Sequence, residues 1–167
     1  LLVDGYNIIY AWPDLRELAA DNMDGARMKL LDVLCNYQGI RQCRIIVVFD
    51  AYRIQGHEEE TISYHNIQIV YTREAQTADQ YIERFAHKNS GKYRIAVATS
   101  DGLQQIIIRG AGCALLSASE LKEEIAAAEE RLRGKYENQP GAGKNRLMDL
   151  LSLEQQQQVE ELRRRSE

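Results

Sequence analysis

Along this chain, short apolar runs alternate with stretches whose apolar residues recur every three or four positions, the first pattern reading as strands and the second as helices. The strand-like runs are Leu1 to Asp4, Arg44 to Phe49, Ile67 to Tyr71, Arg94 to Ala98 and Cys113 to Leu116. After the first run, Pro13 and Asp14 mark a turn or a helix start. From Ala26, the residues Leu30, Val33, Leu34 and Tyr37 form a helical stripe, and Gly39 is placed to cap its end. Thr77 with Gln80 makes a capping box before a helix whose buried face is Ala78, Tyr81, Ile82, Phe85 and Ala86. Asp79, Glu83 and His87 lie four apart on another face of that helix. Gly102 leads into a short helix expected to turn Leu103, Ile106 and Ile107 inward. Ser117 with Glu120 forms a second capping box, ahead of a helix carrying Leu121, Ile125 and Leu132. The polar stretch Ala51 to Asn66 reads as a loop, long for a plain strand-to-helix connection and so a candidate for function. Alternating strands and helices predict an α/β fold around a mostly parallel central sheet of about five strands, with helices on both faces.

A chain of 167 residues fits one domain with a terminal appendage. The domain is assigned to residues 1–134. Residues 135–167 are assigned to a flexible loop around Asn138 to Gly143 and a C-terminal helical extension packed on the domain, capped by Ser152 with Gln155. A hydrophobic share of 44% and a charged share of 28% are ordinary for a soluble globular protein. No run approaches the roughly 20 apolar residues that cross a bilayer, and no secretory leader is visible, so no membrane partner is expected. Cys35, Cys43 and Cys113 form no CxxC pair and cannot all be paired, which fits a reducing cytosol and small buried apolar roles. A net charge of −4 argues against bulk nucleic-acid binding through a strongly basic surface, but leaves room for a local basic rim around an acidic centre.

Such a centre is legible. Asp4, Asp50 and Asp101 each close or follow a strand-like run, and Asp79 opens a helix. In an open parallel sheet, ligands bind beyond the carboxyl ends of the strands. Carboxylates gathered there repel one another unless a cation neutralises them. The pattern points to hard divalent metal and thereby to phosphate chemistry. Any one of these aspartates alone reads as a helix cap or an Asx turn; three strand ends bearing Asp, with Asp79 beside them, favour a shared site. Gly5 and Gly102 follow two of them, where glycine allows a sharp turn and close approach of a bulky ligand.

Around the acids, several residues carry two readings. Asn7 either contacts phosphate or a metal-bound water, or forms a turn. Glu83 is a ligand, a base behind the ligands, or an exposed helical glutamate. Thr99 and Ser100 hold a ligand or water, or cap a helix. Arg53 and Arg73 flank the acidic mouth and are the candidates for phosphate contacts. Tyr6, Tyr10, Trp12 and Tyr52 stack on an unpaired base or pack the core. His57, His65 and His87 show no HxH or HExxH spacing, so no zinc site is expected. Gly141 to Lys144 lacks the phosphate-loop pattern and reads as flexible loop, and Arg163 to Arg165 either touch RNA or complement a helix end.

The segments Leu2-Val3-Asp4-Gly5-Tyr6-Asn7, Val48-Phe49-Asp50-Ala51, Thr77-Ala78-Asp79 and Thr99-Ser100-Asp101-Gly102, in that order, resemble the NYN-domain branch of the PIN-like ribonucleases, and specifically the YacP type. Arg53 to Gly56 and Glu58 to Thr61 resemble the same subfamily, and the likeness runs over almost the whole chain. The resemblance implies a PIN-like three-layer fold and a divalent-metal endoribonuclease in the bacterial cytoplasm. It implies Asp4, Asp50, Asp79 and Asp101 as the acidic centre, with Asn7 beside it. The group includes a ribosome-associated enzyme that cuts mRNA during translation, which implies mRNA and the ribosome as partners here, with the protein itself a monomer. Many PIN nucleases place a glutamate in the helical region between the first two of these motifs. No residue matches it here, and Asp50 would have to serve instead.

The expected mechanism uses one or two Mg²⁺ or Mn²⁺ ions on Asp4, Asp79 and Asp101, with Asp50 bound directly or through water, and in-line attack by water. One rival is a noncatalytic adaptor that binds RNA or the ribosome. Another is a small-molecule phosphoryl-transfer enzyme. A haloacid-dehalogenase phosphatase would need an aspartate where Tyr6 stands, and a receiver domain a lysine where Ser117 stands.

Overall fold

The computed structural model describes residues 1–50 and 58–137. Its strands are β1 (Leu2–Asp4), β2 (Ile46–Phe49), β3 (Glu60–Tyr64), β4 (Ile67–Tyr71), β5 (Ala96–Ala98) and β6 (Ala114–Leu116). Its helices are α1 (Gly5–Ala11), α2 (Pro13–Asp21), α3 (Met23–Arg41), α4 (Ala78–Asn89), α5 (Gly102–Gly110) and α6 (Ala118–Glu137). The strands form one mixed sheet in the order β3-β4-β2-β1-β5-β6. All neighbours are parallel except β3, which runs antiparallel to β4. The chain divides into two compact units, Leu1–Glu129 and Glu130–Glu167; the sheet and the site described below belong to the first. The expected loop around Asn138, the helix capped by Ser152 and the Arg163 to Arg165 run lie outside the described residues.

Strand alternation sorts the core into two layers. Val3, Val47, Phe49, Ile69 and Ala98 face one side, where they bury Ile8 and Ile9 of α1, Leu15 of α2, Leu30 and Leu34 of α3, and Leu121 and Ile125 of α6. Leu2, Ile46, Val48, Val70 and Val97 face the other, where they bury Ala78, Ile82 and Ala86 of α4 and Ile108 of α5. Helices therefore cover both faces, giving the three layers expected. Both capping boxes form. Thr77 and Gln80 bond reciprocally at the start of α4. Ser117 and Glu120 do the same ahead of α6, the Ser117 N–H donating to Glu120 at 2.7 Å and the Glu120 N–H to the Ser117 hydroxyl at 3.2 Å.

Three local expectations are corrected. Part of the presumed loop Ala51 to Asn66 is the edge strand β3, joined to β4 by a tight turn at His65 (φ 48°) and Asn66. Its residues Glu60 to Ser63 are exposed, so no apolar face announced it, although Thr61, Ile62 and Tyr64 favour strand. Helix α3 begins at Met23 on an Asn22 cap and continues through Gly39 to Arg41. Gln42 takes the left-handed cap position (φ 51°, ψ 40°) and its N–H reaches the Gln38 carbonyl at 2.7 Å. In α5 the inward residues are Gln104 and Ile108, while Leu103, Ile106 and Ile107 are 75%, 70% and 50% exposed. The Asp101 carboxylate caps the helix, accepting from the N–H groups of Leu103 and Gln104, and the core takes up Ile108 rather than the apolar stripe.

Gly5 follows Asp4 at the β1–α1 junction, and a Cβ there would penetrate the ring of Phe49, which is fully buried. Close packing, rather than room for a ligand, is what this glycine provides. Gly5→Ala should therefore cost about 1–3 kcal/mol of stability by overpacking, read as a lower urea midpoint at unchanged m-value.

Candidate active site

Strand ends β1, β2 and β5 and the start of α4 bring the four aspartates to the carboxyl edge of the sheet. Alternation places Asp4 on the side of Leu2, and Asp50 on the side of Val48, which is the face covered by α4. Asp79, second residue of α4, meets them there. Each of three carboxylates is tied to a helix start. The Asp4 Oδ1 accepts from the Asn7 N–H at 3.0 Å. The Asp50 Oδ1 accepts from the Ala78 N–H. The Asp101 Oδ1 accepts from Leu103 and Gln104 at 2.8 and 3.1 Å. Helix N-termini carry partial positive charge, so these bonds hold anions in place.

Asp4 is only 7% exposed. Burial pushes its pKa up to about 7, against the pull of the Asn7 N–H, and the neighbouring charges of Asp79 and Asp50 push the same way. Its carboxyl hydrogen-bonds that of Asp79. Burial first, then the charge of Asp101, raises the Asp79 pKa as well, although the Asp4 hydrogen bond favours its charged form. Two like acids so close cannot both ionise freely, so both shift toward their neutral forms. Among the described residues, every charge acting on either of them is negative.

Other expected site residues fall into place unevenly. The Asn7 side-chain oxygen accepts from the Ser100 N–H at 2.7 Å, so Asn7 ties the start of α1 to the loop after β5. Thr99 is fully buried, and its hydroxyl accepts from the Asp101 N–H at 3.1 Å. Ser100 is exposed beside it. Glu83, one turn beyond Asp79 on α4, lines a cleft between α4 and α5 with Gln80, Arg84, His87, Ile107 and Ile108. Arg73 is exposed in the turn before α4. Arg53 and Tyr52 lie outside the described residues. Trp12 is core, its indole N–H donating to the Ala118 carbonyl at 2.8 Å, and Tyr10 is exposed. Tyr6 is half-buried, edge-on to Phe49 with ring centroids 5.1 Å apart. Sequence reasoning missed Arg27 of α3, whose guanidinium Nε and Nη2 donate to the Tyr6 hydroxyl at 3.1 and 2.6 Å. Nothing in the local sequence links residues so far apart.

The donors that meet here are oxygens with surplus negative charge, which fit a hard divalent cation such as Mg²⁺ or Mn²⁺ and not a thiolate- or imidazole-seeking metal. Asp4, Asp79 and Asp101 would hold it, with Asp50 adding its charge. Among the described residues, no three Asp, Glu, His or Cys side chains converge into a ready-made ligand shell.

The comparisons with known proteins agree with one another. A model of the YacP-like NYN domain matches residues 1–164. The Bacillus subtilis (strain 168) protein called "Uncharacterized protein YacP" is 41% identical over 133 residues, covering 79% of this chain and 78% of that protein. The crystal structure of Rae1 (YacP) from Bacillus subtilis is similar at TM-score 0.66 and 40% identity, over 80% of this chain and 77% of that one. A point mutant of Rae1 is similar at TM-score 0.69 and 38% identity, over 81% and 80%.

The raised Asp4 pKa has a consequence for stability. Between the ordinary carboxylate value of 3.8 and about 7, the folded protein holds a proton that the unfolded chain has released. Stability therefore falls as pH rises through that window. In metal-free buffer Asp4→Asn, which keeps an oxygen for the Asn7 N–H, should flatten this slope and stabilise the protein by roughly 2 kcal/mol above neutral pH. Urea unfolding of both proteins across the window checks it; parallel slopes would show that Asp4 titrates normally.

Proposed function

The chain belongs to the YacP-like NYN domain family, and from that premise and the acid cluster we propose that it is a divalent-metal-dependent endoribonuclease that hydrolyses RNA phosphodiester bonds. Family membership supports the coarser statement, a nuclease-type, RNA-related function. The single observation behind the finer one is buried Asp4 set against half-buried Asp79 beside Asp50 and Asp101, with both carboxyl pKa values pushed up. Acids forced together with no positive partner among the described residues are what a cation-binding centre requires and what a merely structural edge avoids.

In this reading Asp4, Asp79 and Asp101 hold the metal and Asp50 supports them. A bound Mg²⁺ or Mn²⁺ supplies acidified water and compensation for charge growing on the phosphoryl oxygens. Asn7, bonded to Ser100, fixes the spacing between the β1 and β5 ends, so that Asp4 and Asp101 keep their relation to the scissile phosphate. Thr99 orients the Asp101 backbone from below. Arg73 and Tyr6 contact the RNA, with Arg53 assigned the same role from sequence. Cleavage of mRNA on the translating ribosome, in the cytoplasm and by a monomer, is the part of this proposal that rests on resemblance alone. Among the described residues, no helix is long and apolar enough to cross a membrane.

One observation favours a second reading. The lack of a ready-made three-residue ligand shell among the described residues fits an adaptor that binds RNA or the ribosome without cutting. Cleavage of translated and naked mRNA, with and without chelator and with end mapping, separates the two. The nuclease reading expects cuts that need the metal and leave 5′-phosphate and 3′-hydroxyl ends; cyclic phosphates would mean attack by the ribose 2′-hydroxyl. RNA binding indifferent to chelator, with no cutting even in high Mn²⁺, would establish the adaptor. Asp101→Asn retains the cap on α5, so it should fold normally while cleavage falls roughly a hundredfold or more.

A further inference from the structure

On the opposite side of the carboxyl edge from the acids, three rings and one cation form a contiguous group. Phe49, fully buried, sits between Tyr6, edge-on at 5.1 Å, and Tyr71, stacked at 5.9 Å with an interplanar angle of 24°. Both tyrosines are half-buried. The Arg27 guanidinium carbon lies 5.4 Å from the Tyr6 ring centre, while two of its nitrogens donate to the Tyr6 hydroxyl. Its third nitrogen pairs with Asp24, whose side chain is 87% exposed. Tyr6 is two residues from Asp4, and Phe49 is next to Asp50.

We propose that the Tyr6 ring, packed against Phe49 and held by Arg27, forms a shelf that receives an unpaired base of the RNA beside the scissile phosphate, selecting single-stranded substrate, with Tyr71 on the far side of Phe49 bracing it. The proposal rests on the ribonuclease reading above and adds a residue from α3 to it. A tyrosine face takes any base, because every base offers a π face. A base held in a duplex offers only its edge, so the shelf discriminates by strandedness and not by sequence. Arg27 is a positioning residue for the Tyr6 ring, held through the hydroxyl. Its pair with Asp24 is solvent-exposed and therefore weak, so a phosphate oxygen of the strand can replace the Asp24 carboxylate on the same nitrogen. The side of the sheet matters: a strand crossing the carboxyl edge would lay its phosphate over the acids and its neighbouring base on the shelf.

The test measures binding, in the full chain carrying Asp101→Asn so that cleavage does not interfere, of a fluorescent unstructured RNA oligonucleotide with one abasic ribose moved along it. With the shelf intact, an abasic nucleotide at one position should weaken binding about tenfold, and duplex RNA should bind at least as much more weakly. Tyr6→Leu should lose about the same tenfold on intact RNA and show no further loss at that abasic position. Arg27→Met should also weaken binding and reduce the slope of log affinity against log salt by about 0.7 for the lost phosphate contact. Thermal unfolding confirms that each variant is folded, and if Tyr6→Leu is not, Arg27→Met carries the same abasic comparison. An unchanged affinity in the folded variants, or an abasic penalty that persists undiminished in them, overturns the shelf. Failure of the ribonuclease reading looks different: the unsubstituted protein binds RNA and shows the abasic penalty, yet never cuts.

Discussion

Carboxyl groups crowded at one edge repel one another when charged, and the centre of this molecule is arranged around that fact. Asp4 is nearly enclosed, Asp79 touches it, and Asp50 and Asp101 add their fields from either side. The folded protein tolerates the crowding in two ways. Burial and the neighbouring acids raise the Asp4 pKa and favour its neutral form. The starts of α1, α4 and α5 each offer N–H groups to one of the carboxylates, so that partial positive charge from three helices converges on the same edge. Capping a helix and belonging to an acidic centre, which appear as competing explanations for an aspartate at a strand end, are here two roles of the same oxygen atoms.

The sheet makes that convergence possible. Parallel strands β1, β2 and β5 end at one edge, and their two-residue period decides which face each terminal side chain joins. The acids take the α4 face. Phe49, one residue before Asp50, takes the other, where it carries Tyr6 and Tyr71 and leaves no room for a side chain at Gly5. A single edge thus presents anionic oxygens on one side and aromatic and guanidinium surface on the other. A nucleic-acid strand has complementary parts in the same order: phosphates that need cations, and bases that need flat apolar faces. The exposed apolar residues of α5, Leu103, Ile106 and Ile107, stand apart from this arrangement, since Ile108 is the residue of that helix that joins the core.

Much of this was legible in the linear chain because the signals are local. An aspartate closing an apolar run, a threonine or serine three residues before a glutamine or glutamate, and a two- or 3.6-residue apolar period depend only on near neighbours. They determined the four acids, both capping boxes, the five parallel strands and the helices on both faces. What they could not determine is whatever a distant segment decides. Strand β3 exists because β4 offers it an edge, not because its own exposed residues demand burial. Helix α5 leaves its apolar stripe outward because the sheet and α4 take up Ile108 instead. Arg27 reaches Tyr6 across 21 positions of sequence. Periodicity is a property of one segment, whereas register, helix rotation and side-chain pairing belong to two segments at once and are settled only when the tertiary structure brings them together.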